Sequence, residues 1–447
     1  MGSLCPVAQV GLVSLCHWGW GRFDDGKIEF EAFQKLWPLS RLCAALSLAL
    51  ALPDGAFGQE ALRHSIAGEK MAAARKKSLE GAPHNLRLGL ATARLDSTLE
   101  IEWNDNVNFA NSERQADLIF RPQMGIEAQW PVTEANRLTL SLQLGYTKYL
   151  DHAEHDHLLV RPGSALSFDV FVGDWRFNLH EQLSYVQDPG LQGAVSNVAE
   201  FGGLSNLAGA RGDWHLKDLI VTLGFDHHTF ISSNSRFSYL DRNSELFLGR
   251  ITAQLKPEFS SGLEATASLT GYDQHLLNDN LSYSVGGFAD WQLSPLLGIK
   301  PRVGLTSYSF DLPAGAAFDP GTTSYYLDLQ LEHAVNEYVA YTLTAGRAVD
   351  LGINSNLLEL WYVRHSAAWR LVHRLDATTQ IFYENGREPG AFGKFTFERI
   401  GLGLGLSCQL FLKMTARLTY RYLIKSTQIA FQDYAQNSVL LGLTYRF

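Results

Sequence analysis

NSVLLGLTYRF, residues 437–447, carries apolar side chains at every second residue, and this period of two decides the fold. One face of the predicted strand carries Val439, Leu441, Leu443, Tyr445 and Phe447. The other face carries Leu440, Gly442, Thr444 and Arg446, because successive side chains of a strand point to opposite sides. The alternation predicts a strand with one apolar and one largely polar face.

A strand of this kind with an aromatic last residue resembles the closing strand of bacterial outer-membrane β-barrels. In that class the terminal strand is the signal read by the barrel-assembly machinery. The resemblance implies that Tyr445 and Phe447 form an assembly signal and that this machinery is a partner of the chain.

The composition sets bounds without deciding the fold. The chain has 447 residues, of which 46% are hydrophobic, and no apolar run reaches the roughly 18 residues of a membrane-spanning helix. The net charge is −9 with both signs interspersed, which argues against a nucleic-acid partner. A soluble all-β enzyme and a membrane barrel with a polar lumen both fit these values, so the periodicity has to separate them.

The amino-terminal region reads as a processing signal. Lys35 and Arg41 precede the apolar run 42–52, and small residues at 56 and 58 predict cleavage after Gly58. A buried helix of the mature protein is the alternative. We predict a signal peptide over 1–58, with an extension that a later translation start would remove. A short helical or flexible leader is predicted over 59–84, and the barrel over 85–447. The mature chain then keeps a single cysteine, Cys408.

From residue 98 onward, segments of 10–16 residues alternate apolar and polar side chains between clusters of Gly, Pro, Asn and Asp. These segments predict about eighteen strands, at 98–109, 115–130, 136–150, 157–171, 174–188, 201–215, 218–231, 243–256, 261–273, 279–293, 296–310, 321–334, 337–350, 355–371, 374–386, 393–408, 411–424 and 434–447.

The predicted connectors alternate in length. Short ones lie at 131–135, 173–174, 217–218, 294–295, 336–337 and 373–374, and long polar ones at 151–157, 188–201, 232–243 and 312–323. Short periplasmic turns and longer extracellular loops are typical of outer-membrane barrels. Aromatic residues near strand ends indicate girdles at the two bilayer interfaces. The sequence therefore predicts an all-β fold, a transmembrane antiparallel up-and-down β-barrel of 16–18 strands in the bacterial outer membrane.

Two positions break the alternation. Glu181 falls on the apolar face of 175–185, and Arg399 interrupts the phase between Phe397 and Ile400. A β-bulge at each position would restore the phase, and a displaced strand boundary would do so equally well.

Residues 85–110, NLRLGLATARLDSTLEIEWNDNVNFA, and 139–152, TLSLQLGYTKYLDH, flank a strand that opens with ADLI at 116–119. Over about 85–190 the chain resembles the β-barrel porin-2 family. The resemblance rests on Gly89, on Asp105-Asn106 and on the Tyr-Leu-Asp strand end at 149–151. It implies an outer-membrane barrel of Gram-negative-type bacteria, with some members linked to exopolysaccharide systems.

The polar strand faces predict a charged lumen. Its candidate lining residues are Glu100, Glu102, Arg121, Glu127, Arg176, His180, Glu264, Lys300, Arg302, Asp328, Glu332, Arg417, Arg421 and Arg446. Barrels of this size leave an aqueous channel unless something fills them, so these charges either filter solutes or knit into a closed plug. A basic wall opposite an acidic wall is expected. Residues 188–201 are the best candidate for an infolded constriction loop.

Two further groups of residues suggest metal binding or hydrolysis. The run DHAEHDH at 151–157 offers His152, His155 and His157 as metal ligands, although a solvated loop explains the same composition better. His180, Ser184, Asp226 and His227 would suit a rim-site hydrolase, but nothing in their spacing brings them together. We expect no enzyme activity and no cofactor.

The first functional hypothesis is an outer-membrane barrel that passes small hydrophilic solutes by passive diffusion. The alternative is a non-conducting structural or accessory barrel, for example one that supports exopolysaccharide export. The rim-site hydrolase is a weaker alternative. Outer-membrane lipid and small solutes are the expected partners, and homo-oligomerisation is left open.

Overall fold

The computed structural model describes residues 84–311, 322–372, 374–390 and 393–447. The predicted signal peptide, nearly all of the predicted leader and most of the predicted loop 312–323 lie outside these residues. The described part forms nineteen strands: β1 Leu86–Leu88, β2 Ala91–Asn104, β3 Asp117–Pro131, β4 Arg137–Tyr149, β5 His157–Val172, β6 Trp175–Gln187, β7 Gly202–Leu216, β8 Leu219–Ser232, β9 Arg242–Lys256, β10 Phe259–Tyr272, β11 Asn280–Ser294, β12 Leu297–Phe310, β13 Thr322–Ala334, β14 Val339–Leu351, β15 Leu357–Val372, β16 Leu375–Gly390, β17 Gly393–Phe411, β18 Met414–Thr427 and β19 Tyr434–Arg446.

Eighteen of these strands, β2 to β19, close into one antiparallel barrel in sequence order. The last strand pairs with the first one of the ring, from Ser438 opposite Asn104 to Arg446 opposite Asp96. The short β1 pairs only with β2, after a turn at Gly89 with a φ of 62° that suits glycine. The predicted up-and-down barrel of about eighteen strands is therefore confirmed.

Most predicted strand boundaries agree with the structure within a few residues, but the first one was wrong. The strand runs over Ala91–Asn104 instead of 98–109. Beyond Asn104 the chain leaves the sheet, because the side chain of Asn106 donates to the carbonyl of Ala110 and accepts from its amide. Local bonds of an Asn side chain compete with a strand ladder in this way.

Neither a bulge nor a displaced strand boundary, the two alternatives for Glu181 and Arg399, is found at these positions. The β6–β7 register is continuous through Glu181, and the β16–β17 register is continuous through Arg399. Glu181 is therefore an exposed residue of the outer face, and Arg399 a buried residue of the inner face beside buried Phe397. A real irregularity lies instead in β5, where the register shifts on both sides around Gly163, which has a φ of 96°.

Most connectors alternate in length as predicted, with the short one between Gly390 of β16 and Gly393 of β17 as an exception. One end of the barrel carries short turns such as 173–174, 217–218 and 412–413, and we call it the short-turn end. The other end, the loop end, carries 105–116, 150–156, 188–201, 233–241 and 273–279. Three short 3-10 helices lie in these loops, at Ala153–His155, Pro189–Leu191 and Ser235–Leu240.

The two faces of the wall differ in chemistry. Outward residues such as Leu263, Val285 and Leu305 are 65%, 61% and 61% exposed. Inward neighbours such as Glu264 and Thr306 are 3% and 1% exposed. An exposed apolar exterior around a polar interior is the arrangement of a barrel that lies in a bilayer. In the part of the chain that is described, no helix is long and apolar enough to cross a membrane.

The carboxyl terminus is fastened at the short-turn end. The amide of Phe447 donates to the carbonyl of Leu95, and the side-chain amide of Asn85 donates to the carbonyl of Phe447. The rings of Tyr445 and Phe447 meet edge to face at 5.4 Å between centroids. Their role as an assembly signal stays a prediction.

Candidate functional site

The interior of the barrel is the candidate site. All fourteen predicted lining residues belong to the inward-facing set of their strands, as the strand parity and the contacts below show. Their role in permeation stays a prediction.

One part of the wall combines β2, β3, β5 and β18. Glu100 accepts from Arg161 at 2.6 Å and from Gln123 at 3.0 Å. Glu102 pairs with Arg121 at 2.5 Å. Arg417 lies within electrostatic range of Glu100, and Arg421 within range of Glu102.

This arrangement corrects the expectation of a basic wall opposite an acidic one. The β18 arginines and the β2 glutamates share one wall, because β19 closes the ring between them. Arg161 was not predicted. It lies beside the β5 irregularity, which the sequence period does not show. Two further predicted residues, Glu127 and Arg446, lie on the same side nearer the short-turn end. Glu127 pairs with Arg94, and Arg446 lies opposite Asp96.

A second cluster lies on β9, β10, β12 and β13. Glu264 accepts from Arg302 at 3.0 Å, from Arg250 at 3.4 Å and from the Tyr326 hydroxyl at 3.2 Å. Below it, Lys300 pairs with Glu332 at 3.1 Å. Asp328 accepts from the Tyr362 hydroxyl at 2.7 Å. Three acidic and three basic side chains meet here, so this wall is nearly neutral.

A third cluster centres on Glu384 of β16. It accepts from Arg364 at 2.9 Å and from Arg399 at 2.6 Å, and both Glu384 and Arg399 are 3% exposed. Arg399 also donates to the carbonyl of Gly190 at 2.7 Å, which joins the wall to residues 188–201. From the sequence, Arg399 was interpreted only as a break in the apolar–polar alternation, and this cluster was not predicted.

Residues 188–201 fold into the lumen, as predicted for the best constriction candidate, and we call them the inward loop. Lys425 donates to the carbonyl of Val195 at 3.2 Å and to the hydroxyl of Ser196 at 2.8 Å. The side chain of Asn197 donates to the carbonyl of Phe431 at 2.9 Å. Lys425 on β18 lies six strands from β6 in the ring of eighteen, so the loop reaches over the lumen to a wall about a third of the way around the barrel.

An apolar cluster accompanies the inward loop at the loop end, and we call it the mouth cluster. It contains Ala194, Val195, Val198, Phe201, Phe237, Leu240, Tyr272, Leu277, Ala348, Ile353, Leu358, Leu360, Tyr362, Phe395 and Phe397. Glu388, 1% exposed, holds the neighbouring loop by accepting from the amides of Ile353 and Asn354 at 2.8 and 3.2 Å. The loops therefore close much of this end with packed side chains.

The predicted metal candidates are engaged separately. His152 lies 3.0 Å from Asp117, His155 lies 2.7 Å from Glu200, and the Nδ1 of His157 lies 2.8 Å from the His155 carbonyl. Within the described ranges, no three His, Cys, Asp or Glu side chains are grouped to hold a metal ion.

The same loop contains one perturbed acid. Desolvation would raise the pKa of Asp156, but bonds from the Lys148 ammonium and the Tyr149 amide hold the pKa below its ordinary value.

The hydrolase candidates are divided by the wall. His180 and Asp226 pair at 2.8 Å inside the lumen, and Ser184 shares the inner face of β6. His227 lies on the outer face, where it pairs with Glu245 at 2.8 Å. The four residues therefore cannot form one rim site.

No family model matches this chain, and no curated protein matches it either. The resemblance to the β-barrel porin-2 family thus stays a prediction. Solved structures show a similar course of the chain. OccK1 (OpdK) of Pseudomonas aeruginosa is 11% identical, with a TM-score of 0.49 over 79% of this chain and 99% of that one. OccAB4 of Acinetobacter baumannii is 13% identical, with a TM-score of 0.45 over 79% and 98%. Likeness of this degree does not extend to the residues of a binding site.

Proposed function

We propose that this protein is an outer-membrane porin that passes small hydrophilic solutes by passive diffusion. The observation that supports the proposal is a lumen lined by charged side chains in an eighteen-strand ring. A ring of this size is too wide for side chains alone to fill, so its charged inner face is hydrated. Glu100, Glu102, Arg417 and Arg421 line the side opposite the second cluster and would sort solutes by charge.

The inward loop sets the size limit in this proposal. It narrows the water-filled section at the loop end, while the described connectors of the short-turn end are short. Solutes would pass beside the loop, along the wall that carries Arg161, Arg417 and Arg421. Membership of the β-barrel porin-2 family, contact with the barrel-assembly machinery through β19, and short periplasmic turns belong to the same proposal.

Single-channel recording tests the proposal of passive diffusion through the barrel. Full-length protein, processed and purified from an outer membrane, is placed in a planar bilayer with potassium chloride. Discrete ohmic current steps are expected. A folded, heat-modifiable barrel that stays electrically silent would exclude diffusion as the function.

The mouth cluster favours a second candidate, a non-conducting structural or accessory barrel. Fifteen buried side chains pack together at the loop end, and such packing favours a closed end. Electrical silence, combined with retention of the protein in surface-polysaccharide fractions, would support this reading.

A further inference from the structure

The outer face of the barrel carries an ionisable residue in the middle of two opposite walls. Glu181 is the seventh of the thirteen residues of β6, and His365 is the ninth of the sixteen residues of β15. Both side chains share the parity of lipid-exposed neighbours, Leu183 for Glu181 and Val363 for His365. The middle of a tilted barrel strand lies near the centre of the bilayer.

Glu181 is surrounded by apolar groups. Its cross-strand neighbours are Leu166 and Ala208, and Leu179 and Leu183 flank it along the strand. Its side-chain oxygen lies 3.5 Å from the amide nitrogen of Asn206, which is at the upper limit of a hydrogen bond. A carboxylate in this position is unfavourable in lipid unless another group covers it.

His365 has a similar setting. Its cross-strand neighbours are Leu343 and Ile381, and its ring meets Tyr341 at 5.8 Å between centroids. Within the described residues it has no ion-pair partner. Other exterior ionisable groups differ, since His227 pairs with Glu245 and Arg347 pairs with Glu359 inside the same chain.

The two residues have complementary chemistry and lie nine strands apart in a ring of eighteen, which places them on opposite sides. We propose that Glu181 of one copy binds His365 of the next copy, so that barrels associate head to tail in the membrane. A carboxyl group and an imidazole form a hydrogen bond with each other whether the proton lies on the carboxyl oxygen or on the ring nitrogen. Contacts on opposite sides do not close into a small ring, so the expected assembly is an open row.

Thiol cross-linking in the outer membrane tests the arrangement. In a Cys408→Ala background, Leu183→Cys and Val363→Cys flank the two residues on the same side, toward the loop end. With a short bifunctional thiol reagent, the double variant should give a ladder that extends beyond trimers, while each single variant stays monomeric. Dimers of the Leu183→Cys variant alone, or a ladder that stops at three, would overturn the row.

Matched controls keep the test specific. Leu263→Cys with Val303→Cys places thiols on the exposed outer faces of β10 and β12, and an equal ladder there would mean random collision. Glu181→Gln should lower the cross-linked fraction about threefold, the usual strength of a polar contact in a membrane. The exchanged variant E181H/H365E should restore it. An unchanged yield in Glu181→Gln would refute the pairing, and conductance is independent of either result.

Discussion

The ammonium nitrogen of Lys425 on β18 lies 2.8 Å from the hydroxyl oxygen of Ser196 in the inward loop. Lys425 is 1% exposed and also lies 5.5, 5.6 and 5.8 Å from the ring centroids of Phe395, Phe397 and Tyr434. One side chain thus ties the loop to the wall at β18 and contacts two aromatic residues of the mouth cluster, Phe395 and Phe397.

Replacing Lys425 by Met should release the inward loop. The change keeps roughly the length of the side chain but removes two hydrogen bonds, each of which contributes about 0.5–1.5 kcal/mol. In the porin proposal, single-channel conductance then rises and current noise increases. Lys413→Met in an exposed short turn is the control and should change neither value. Unchanged conductance in a folded Lys425→Met barrel would show that the loop does not limit the flow.

Gly193 offers an independent test of the inward loop. A Cβ at this position would lie 2.3 Å from Cε2 of Phe397, closer than side-chain atoms approach. Gly193→Val should therefore push the loop out of its seat and make it sensitive to proteolysis from outside the cell. Gly271→Val, where a Cβ meets nothing within 4 Å, should stay resistant. Equal protection of both variants would contradict the packing described above.

Glu384→Gln should destabilise the barrel. It leaves Arg364 and the buried Arg399 side by side without an acid, and breaking a buried pair in this way costs about 3–5 kcal/mol. Denaturant unfolding in detergent or lipid measures the loss. Asp376→Asn is the matched control, because its pair with Arg370 is long at 3.8 Å and exposed, and should cost under about 1 kcal/mol.

The double variant Arg417→Glu/Arg421→Glu should shift ion selectivity toward cations. Both arginines lie near Glu100 or Glu102, so the exchange leaves that wall acidic. The reversal potential across a salt gradient should move accordingly. The control is Lys217→Glu. The Lys217 side chain is 89% exposed in a short turn outside the lumen, so this exchange should leave the reversal potential unchanged. A reversal potential unaffected by the double exchange would place the conducting path elsewhere.

The sequence by itself determined nearly all of the strands, their pairing order and the face of most residues. Period two is a local property, and in a meander each strand pairs with the next along the chain, so the alternation of NSVLLGLTYRF and its counterparts was sufficient. The bounds of the first strand were predicted wrongly because its end depends on the Asn106 side chain. The hydrogen bonds of this side chain to Ala110 replace those of the β-ladder.

Only the tertiary structure decided which charges meet and what fills the mouth. Closure of β19 on β2 brought arginines of β18 next to Glu100 and Glu102, although more than 300 residues separate them in the chain. Phe395, Phe397 and Arg399 share the inner face of β17, and the inward loop supplies apolar and carbonyl partners there that no local pattern contains. Glu181 stays on the outer face because of the register of its strand. Its register is fixed by twelve neighbouring pairs, so one unfavourable residue could not turn the strand.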